Sequence, residues 1–261
     1  MPGRSGCCGE KPWTICNKSG LTLLLPGKFA TIHSNDGERG RIFEKSMAES
    51  ASYRTVKTPS GIEIVINRSR FIGQCIPLRS EAAALEQLAA IRKRYWDATH
   101  NCYAYSIGQK GEIARFSDDG EPGGTAGMPM MDALRGAGVT DVLCVVTRYF
   151  GGILLGTGGL VRAYGRACSE AIRAAGVVRM VPCDLVEFEV AYPQWALFGQ
   201  VARRFGADLS PEYGGAVRCL AAVDATRTEA FLREVFDQSA GTLQGKLAGR
   251  EYRPKEEDET A

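Results

Sequence analysis

At 261 residues the chain is long enough to bury a proper core and to form one or two domains. Hydrophobic residues at 44% and charged residues at 24% are ordinary for a globular protein; no apolar run approaches a membrane span, and the apolar run from Leu21 to Pro26 is too short and too deep for an export signal. Nine cysteines, an odd number with no CxxC pair and mostly inside apolar runs, read as reduced, buried cytosolic thiols, and with only two histidines they argue against a zinc site.

The formal net charge of +2 is unevenly spread: Tyr53 to Met180 carries 16 Lys/Arg against 11 Asp/Glu, and Val181 to Ala261 carries 9 against 14. A basic middle and an acidic end point to two units with different partners, although the excess is too mild to establish nucleic-acid binding. Residues 1 to about 50 lack any amphipathic period; they are expected to be a disordered leader, or to precede a true start at Met47. From Tyr53 the pattern sharpens. Tyr53 to Thr58 and Ile62 to Ile66 predict two strands joined at the turn signal Pro59-Ser60-Gly61, and Arg70 to Pro77 a third. Ser80 then caps a helix to about Trp96, with Ala84, Leu85, Leu88, Ile91 and Tyr95 on one face. Its last turn holds Arg92, Lys93 and Arg94, which suit the helix dipole or else offer a phosphate contact.

Asn101 to Ile107 and Ile113 to Ser117 predict a hairpin, followed by FSDDGEPGGTAG and a short helix from about Met128 to Arg135. The acidic residues Asp118, Asp119 and Glu121 among the glycines have three readings: ligands for a divalent cation, turn and helix-capping chemistry, or a partner-binding loop. EF-hand spacing is absent.

Next comes the most informative stretch. Val142 to Val146 predicts a strand buried on both faces, leaving through Arg148, Tyr149 and Phe150. Gly151, Gly152, Gly156, Gly158 and Gly159 then lead into a helix. A glycine loop at a helix N-terminus suits an anion, while the plainer reading is tight turns and close packing. Leu160, Tyr164, Ala167, Cys168, Ala171, Ile172 and Ala175 form the helix's apolar stripe, and Arg162, Arg166, Ser169 and Arg173 line the opposite face. Arginines in a row favour planar anionic groups, though a solvated helix face explains them as well. From Pro182 a second unit restarts. It is read as a strand over Leu185 to Tyr192, a helix over Gln194 to Phe205, a hairpin of Asp208 to Tyr213 and Val217 to Val223, a helix over Thr226 to Gln238 and a strand over Thr242 to Ala248. That βαββαβ order is the ferredoxin-like split βαβ arrangement, closed by an acidic tail.

Together, VVTRYFGGILLGTGGLVRAYG, FSDDGEPGGTAG and DATHNCYAY resemble the YigZ/IMPACT family, over roughly Tyr53 to Val178. The resemblance implies an α/β (α+β) fold of bacterial two-domain type. Its first domain, here 51–180, would resemble the second domain of a small-subunit ribosomal protein, with the left-handed βαβ crossover also found in GHMP kinases, an exception to the usual handedness. Its second, here 181–252, would be ferredoxin-like and resemble domain V of elongation factor G, with 253–261 as the acidic tail. The eukaryotic relative regulates translation by protein-protein contact, so the resemblance implies a cytoplasmic, non-catalytic factor whose partner is the ribosome, RNA or a translation-regulating protein. No catalytic residue, cofactor, metal, membrane or DNA is expected. The expected binding surface comprises Arg148, Tyr149, Gly151, Gly152, Gly156, Gly158, Gly159, Arg162, Arg166, Arg173, Asp118, Asp119 and Glu121. The competing reading is a nucleotide- or phosphate-binding enzyme of GHMP-kinase-like fold. Against it, the glycine loop lacks the Lys and Ser/Thr of a Walker A motif, and His100 near Asp97 has no nucleophile in a recognisable elbow.

Overall fold

The computed structural model describes residues 52–255, and the readings made for residues 1–50 and for most of the acidic tail lie outside that range. Along the chain the elements are β1 (Tyr53–Val56), β2 (Ser60–Ile66), β3 (Ser69–Pro77), α1 (Glu81–Arg94), β4 (His100–Ile107), β5 (Ile113–Ser117), α2 (Gly127–Ala137), β6 (Val142–Tyr149) and α3 (Gly156–Ala175). They continue as β7 (Val177–Val190), α4 (Tyr192–Phe205), β8 (Asp208–Tyr213), β9 (Val217–Asp224), α5 (Thr228–Gln238) and β10 (Lys246–Lys255). None of these helices is long and apolar enough to cross a membrane.

Strand β6 organises the first sheet, whose order is β2-β3-β6-β4-β5 with every neighbouring pair antiparallel. Val142 to Val146 are wholly buried because both faces are covered. On one face Val142, Cys144 and Val146 meet Met130, Met131 and Leu134 of α2 and Tyr164, Ala167 and Cys168 of α3. On the other, Leu143 and Val145 meet Ala84, Leu88 and Ile91 of α1. The uninterrupted apolar run reports this two-sided burial. Ser80 accepts from the Ala83 N–H at 3.2 Å, so α1 starts where its cap predicts. Helix α3 lies close against β3 at Gly73, where a Cβ would fall 2.7 Å from the Ala167 carbonyl oxygen.

The second sheet is built on β7. Strand β10 pairs along one of its edges, and β9, carrying β8, along the other. The strand order β10-β7-β9-β8, antiparallel throughout, is the split βαβ pattern, with α4 and α5 covering one face through Phe198, Val201, Phe231 and Val235. Three details depart from the sequence reading. Strand β7 starts at Val177, well before Leu185, and so runs through the position expected to divide the two domains. Strand β1 does not join β2: it pairs with Val177 to Met180 of β7, and the turn at Pro59 carries the chain from one sheet to the other. The last strand also sits later than expected, at Lys246–Lys255. The six described cysteines are free and buried.

Replacing Gly73 by Ala should push α3 off β3 and cost about 1–3 kcal/mol of stability, read as a lower urea midpoint at unchanged slope. A midpoint equal to that of the parent would show that the helix–sheet spacing has slack there.

Candidate functional site

The acidic loop after β5 turns its carboxylates inward. The Asp118 Oδ1 accepts from the N–H groups of Ala126 (2.9 Å) and Gly127 (2.8 Å), and its Oδ2 from Gly124 (2.9 Å). Ala126 itself offers no capping side chain, so a residue from before the loop caps α2. Burial pushes the Asp118 carboxyl up, but the three backbone donors outweigh it and hold the group below its ordinary value. Asp119 accepts from the Asn101 N–H and from an Arg92 Nη, both at 2.7 Å, which fastens the loop to β4 and to the end of α1. Arg92 is thus engaged by Asp119.

Glu121 goes deepest. Its Oε1 accepts from Arg148 Nη1 at 2.6 Å and from the Tyr164 hydroxyl at 2.7 Å, and His100 Nε2 lies 3.7 Å away. The Glu121 side chain is only 3% exposed and that of Arg148 only 6%. Arg148 also donates to Ser69 Oγ at 3.4 Å, and its guanidinium lies between the rings of Phe71 and Phe150, 5.4 and 5.5 Å from their centroids. Its Nε is buried without a hydrogen-bond partner. The ring of His100 is set by a 2.8 Å contact between Nδ1 and the Asp119 carbonyl oxygen. Burial, followed by the Cys102 thiol and Glu121, drives the Tyr164 phenol far above its usual range. Burial likewise pushes the Cys102 thiol up to about 12. Both groups act here as hydrogen-bond donors, Tyr164 to Glu121 and Cys102 to the Asp118 carbonyl oxygen at 3.0 Å.

The glycine loop divides in two. A Cβ on Gly151 would fall 2.1 Å from the Arg68 carbonyl carbon, so glycine is required for the chain to cross β3's start. Gly152 (φ +81) and Gly156 (φ +69) need glycine for their backbone conformation, yet a Cβ at either, or at Gly158, would meet open space. Gly159 packs against Leu155. The loop's apolar side chains face outward: Leu154 is 85% exposed, Ile153 42% and Phe150 46%. Helix α3 opens without a side-chain cap. Along its outer face Arg162, Arg166 and Arg173 are exposed, with Arg166 paired to Glu170 at 2.7 Å. The expected surface therefore separates. Arg162, Arg166, Arg173 and the later glycines are on the outside. Arg148 and Glu121 are inside, paired with each other. Tyr149 is tied down, its hydroxyl donating to Asp97 at 2.8 Å beneath the Arg70 guanidinium.

Residues 67–172 match the family model described as the Impact N-terminal domain. The Bacillus subtilis protein named IMPACT family member YvyE is 51% identical over 127 residues, 49% of this chain and 58% of the relative, less than two thirds of its length. The Escherichia coli protein named IMPACT family member YigZ is 38% identical over 185 residues, 69% of this chain and 89% of the relative. This chain belongs to the YigZ/IMPACT family. A crystal structure titled as that of a hypothetical protein matches with a TM-score of 0.50 at 33% identity, over 76% of this chain and 98% of that one.

The segment that carries the IMPACT likeness contains Ser69, His100, Asp118, Glu121, Arg148 and Tyr164, so the buried network lies wholly within it. Two of its members escape a sequence reading. Tyr164 reads as one more apolar position of the α3 stripe, and His100 reads as a neighbour of Asp97, which in fact takes the Tyr149 hydroxyl. Among the described residues no group of three or more His, Cys, Asp or Glu is arranged to hold a metal ion. Within the acidic loop Asp118 caps α2, Asp119 fastens the loop to β4 and α1, and Glu121 pairs with Arg148.

Two substitutions separate the strong contact from the weaker one. Glu121→Ala should cost about 3–5 kcal/mol because it strands a buried guanidinium, whereas Tyr164→Phe should cost about 1–3 kcal/mol; equal losses in urea titrations would refute that ranking. The pH dependence of Asp118 has a definite sign. A carboxyl held below its unfolded value contributes stability that is complete above the unfolded pKa and lost as pH falls through the folded one. The advantage of the parent over Asp118→Asn should be full near about pH 7 and shrink below about pH 4, measured as the difference in melting temperature across the range.

Proposed function

We propose that the protein is a non-catalytic cytoplasmic factor linked to the regulation of translation, binding RNA, the ribosome or a protein partner through the outer face of α3 and the glycine loop before it. The observation that carries this reading is the exposed row Arg162, Arg166 and Arg173 beside Gly152, Gly156 and Gly158, which leave the backbone accessible. Uncapped N–H groups at the start of α3 and planar guanidiniums along its side suit phosphate or carboxylate groups. Ile153 and Leu154 add apolar contact area at the same end of the helix. Resemblance of the first sheet and its helices to the second domain of a small-subunit ribosomal protein, and of the second sheet to domain V of elongation factor G, supports the translation link as analogy, since one fold hosts many functions.

The competing reading, a nucleotide-dependent phosphotransferase of GHMP-kinase-like fold, would have to work without the acidic loop as a magnesium site, because Asp118, Asp119 and Glu121 are each engaged by protein donors. Binding of the full chain to purified ribosomes and to a labelled single-stranded RNA is expected to weaken steeply with salt. In the Arg162→Ala, Arg166→Ala double variant the slope of log affinity against log salt should flatten by about two. Affinity indifferent to salt and to both substitutions, or tight Mg-ATP binding in calorimetry, would overturn the proposal.

A further inference from the structure

Strand β2 ends the first sheet, and it contains neither the proline nor the bulge that keeps an edge strand from pairing further. Edge strands of the second sheet have both devices: Pro211 stands in β8, and Pro254 and a bulge between Leu247 and Gly249 interrupt β10. By contrast β2 keeps an unbroken register with β3, from Ser60 opposite Cys75 to Ile66 opposite Ser69. The turn joining them is Asn67 (φ +45) and Arg68 (φ +64), so Ile66 and Ser69 exchange hydrogen bonds and the ladder alternates from there. Ile62 and Ile64 therefore bond inward to β3, whereas Gly61, Glu63 and Val65 turn their N–H and C=O groups outward. Those three residues are exposed, Val65 by 63%.

Helix α3 runs along this edge. The Ser60 hydroxyl donates to the Ala171 carbonyl at 2.6 Å, Gly73 opposite Ile62 meets Ala167, and the Phe71 ring opposite Ile64 meets that of Tyr164. The side of α3 toward α2 holds Gly165, near Pro129, and Cys168, whose thiol reaches the Met130 carbonyl. At about 100° per residue, Arg162, Arg166 and Arg173 fall on the flank away from α2. Since α2 packs at the β5 end of the sheet, with Gly127 against Ser117, that flank looks past β2. Two carboxylates beside the edge oppose an anion, and each is paired: Glu170 with Arg166 at 2.7 Å and Glu63 with Arg70 at 2.9 Å. Arg162 and Arg173 remain as the cationic surplus, without an ion pair among the described residues. Phosphate groups would suit these arginines but not the outward carbonyls of β2, which need donors. A second copy paired antiparallel through β2 would bring two arginine flanks together, and like charges repel. An extended acidic peptide meets both requirements.

We propose that an extended acidic segment of a protein partner adds to β2 as a further strand. Its main chain bonds to Gly61, Glu63 and Val65, and its carboxylates, on the α3 side, reach Arg162 and Arg173. The inference rests on the α3 reading above for these arginines and commits that surface to a protein partner. Fluorescence anisotropy on the full chain tests it, with a labelled peptide of alternating Glu and Val, matched to β2 in length, as the probe. Saturable binding that weakens with salt is expected. Directly opposite residues share a face, so the valine amides are the ones that bond β2. N-methylation of those valines should weaken binding at least about tenfold, as should Arg162→Ala with Arg173→Ala and, separately, Val65→Pro. The Val65 N–H points away from β3, so the proline removes no bond within the sheet; the N-methylated peptide repeats the test on the unaltered protein. The proposal is overturned by a lack of saturable binding, by equal affinity for a Lys–Val peptide, or by indifference to N-methylation or to the arginine substitutions. Self-association that Val65→Pro abolishes would also overturn it, by assigning the edge to a second copy. Peptide failure beside intact salt-dependent binding to ribosomes or RNA removes strand addition alone and leaves the α3 reading standing. Peptide binding without ribosome or RNA binding supports strand addition.

Discussion

The ion pair between Glu121 and Arg148 is the contact on which the arrangement of the first sheet and its helices depends. Taking two opposite charges out of water costs several kcal/mol per ion, and attraction recovers that only when the remaining polar atoms are well engaged. Here the carboxylate accepts from Arg148 and Tyr164, and the guanidinium donates to Glu121 and Ser69 and lies over two aromatic rings, with only its Nε left without a partner. The contributors come from β3, the acidic loop, β6 and α3. None can be displaced without leaving a charge or a hydroxyl buried alone, so the pair acts as a lock on their mutual positions.

The loop that delivers Glu121 is held by the same logic at shorter range. Asp118 closes the N-terminus of α2, Asp119 ties β4 to α1, and Glu121 reaches the core, so three acidic residues of one loop serve three separate purposes. The glycines divide by a similar test. Gly73, Gly127 and Gly151 stand where backbone or ring atoms leave no space for a Cβ. Gly152, Gly156 and Gly158 face open space, which makes that end of α3 an accessible surface. A single glycine-rich motif thus contains both a structural requirement and a candidate point of contact.

Much of this was legible along the chain. The two-sided burial of β6, the Ser80 cap, the apolar stripe of α3 with its outward arginines, and the βαββαβ order of the second sheet all follow from patterns confined to one strand or a few helical turns. The family likeness rests on motifs that are equally local. What only the tertiary structure decided is where the charges and the first strand go. Arg148 reads as the start of a cationic surface and is buried. Tyr164 reads as core and also binds a carboxylate. The first strand reads as half of a local pair and joins β7 in the other sheet. Periodicity records which face of an element is covered, but a charged side chain is stable inside or outside according to the partners that distant elements bring to it. For Glu121, Arg148 and Tyr164 those partners meet only when the sheet and its helices close.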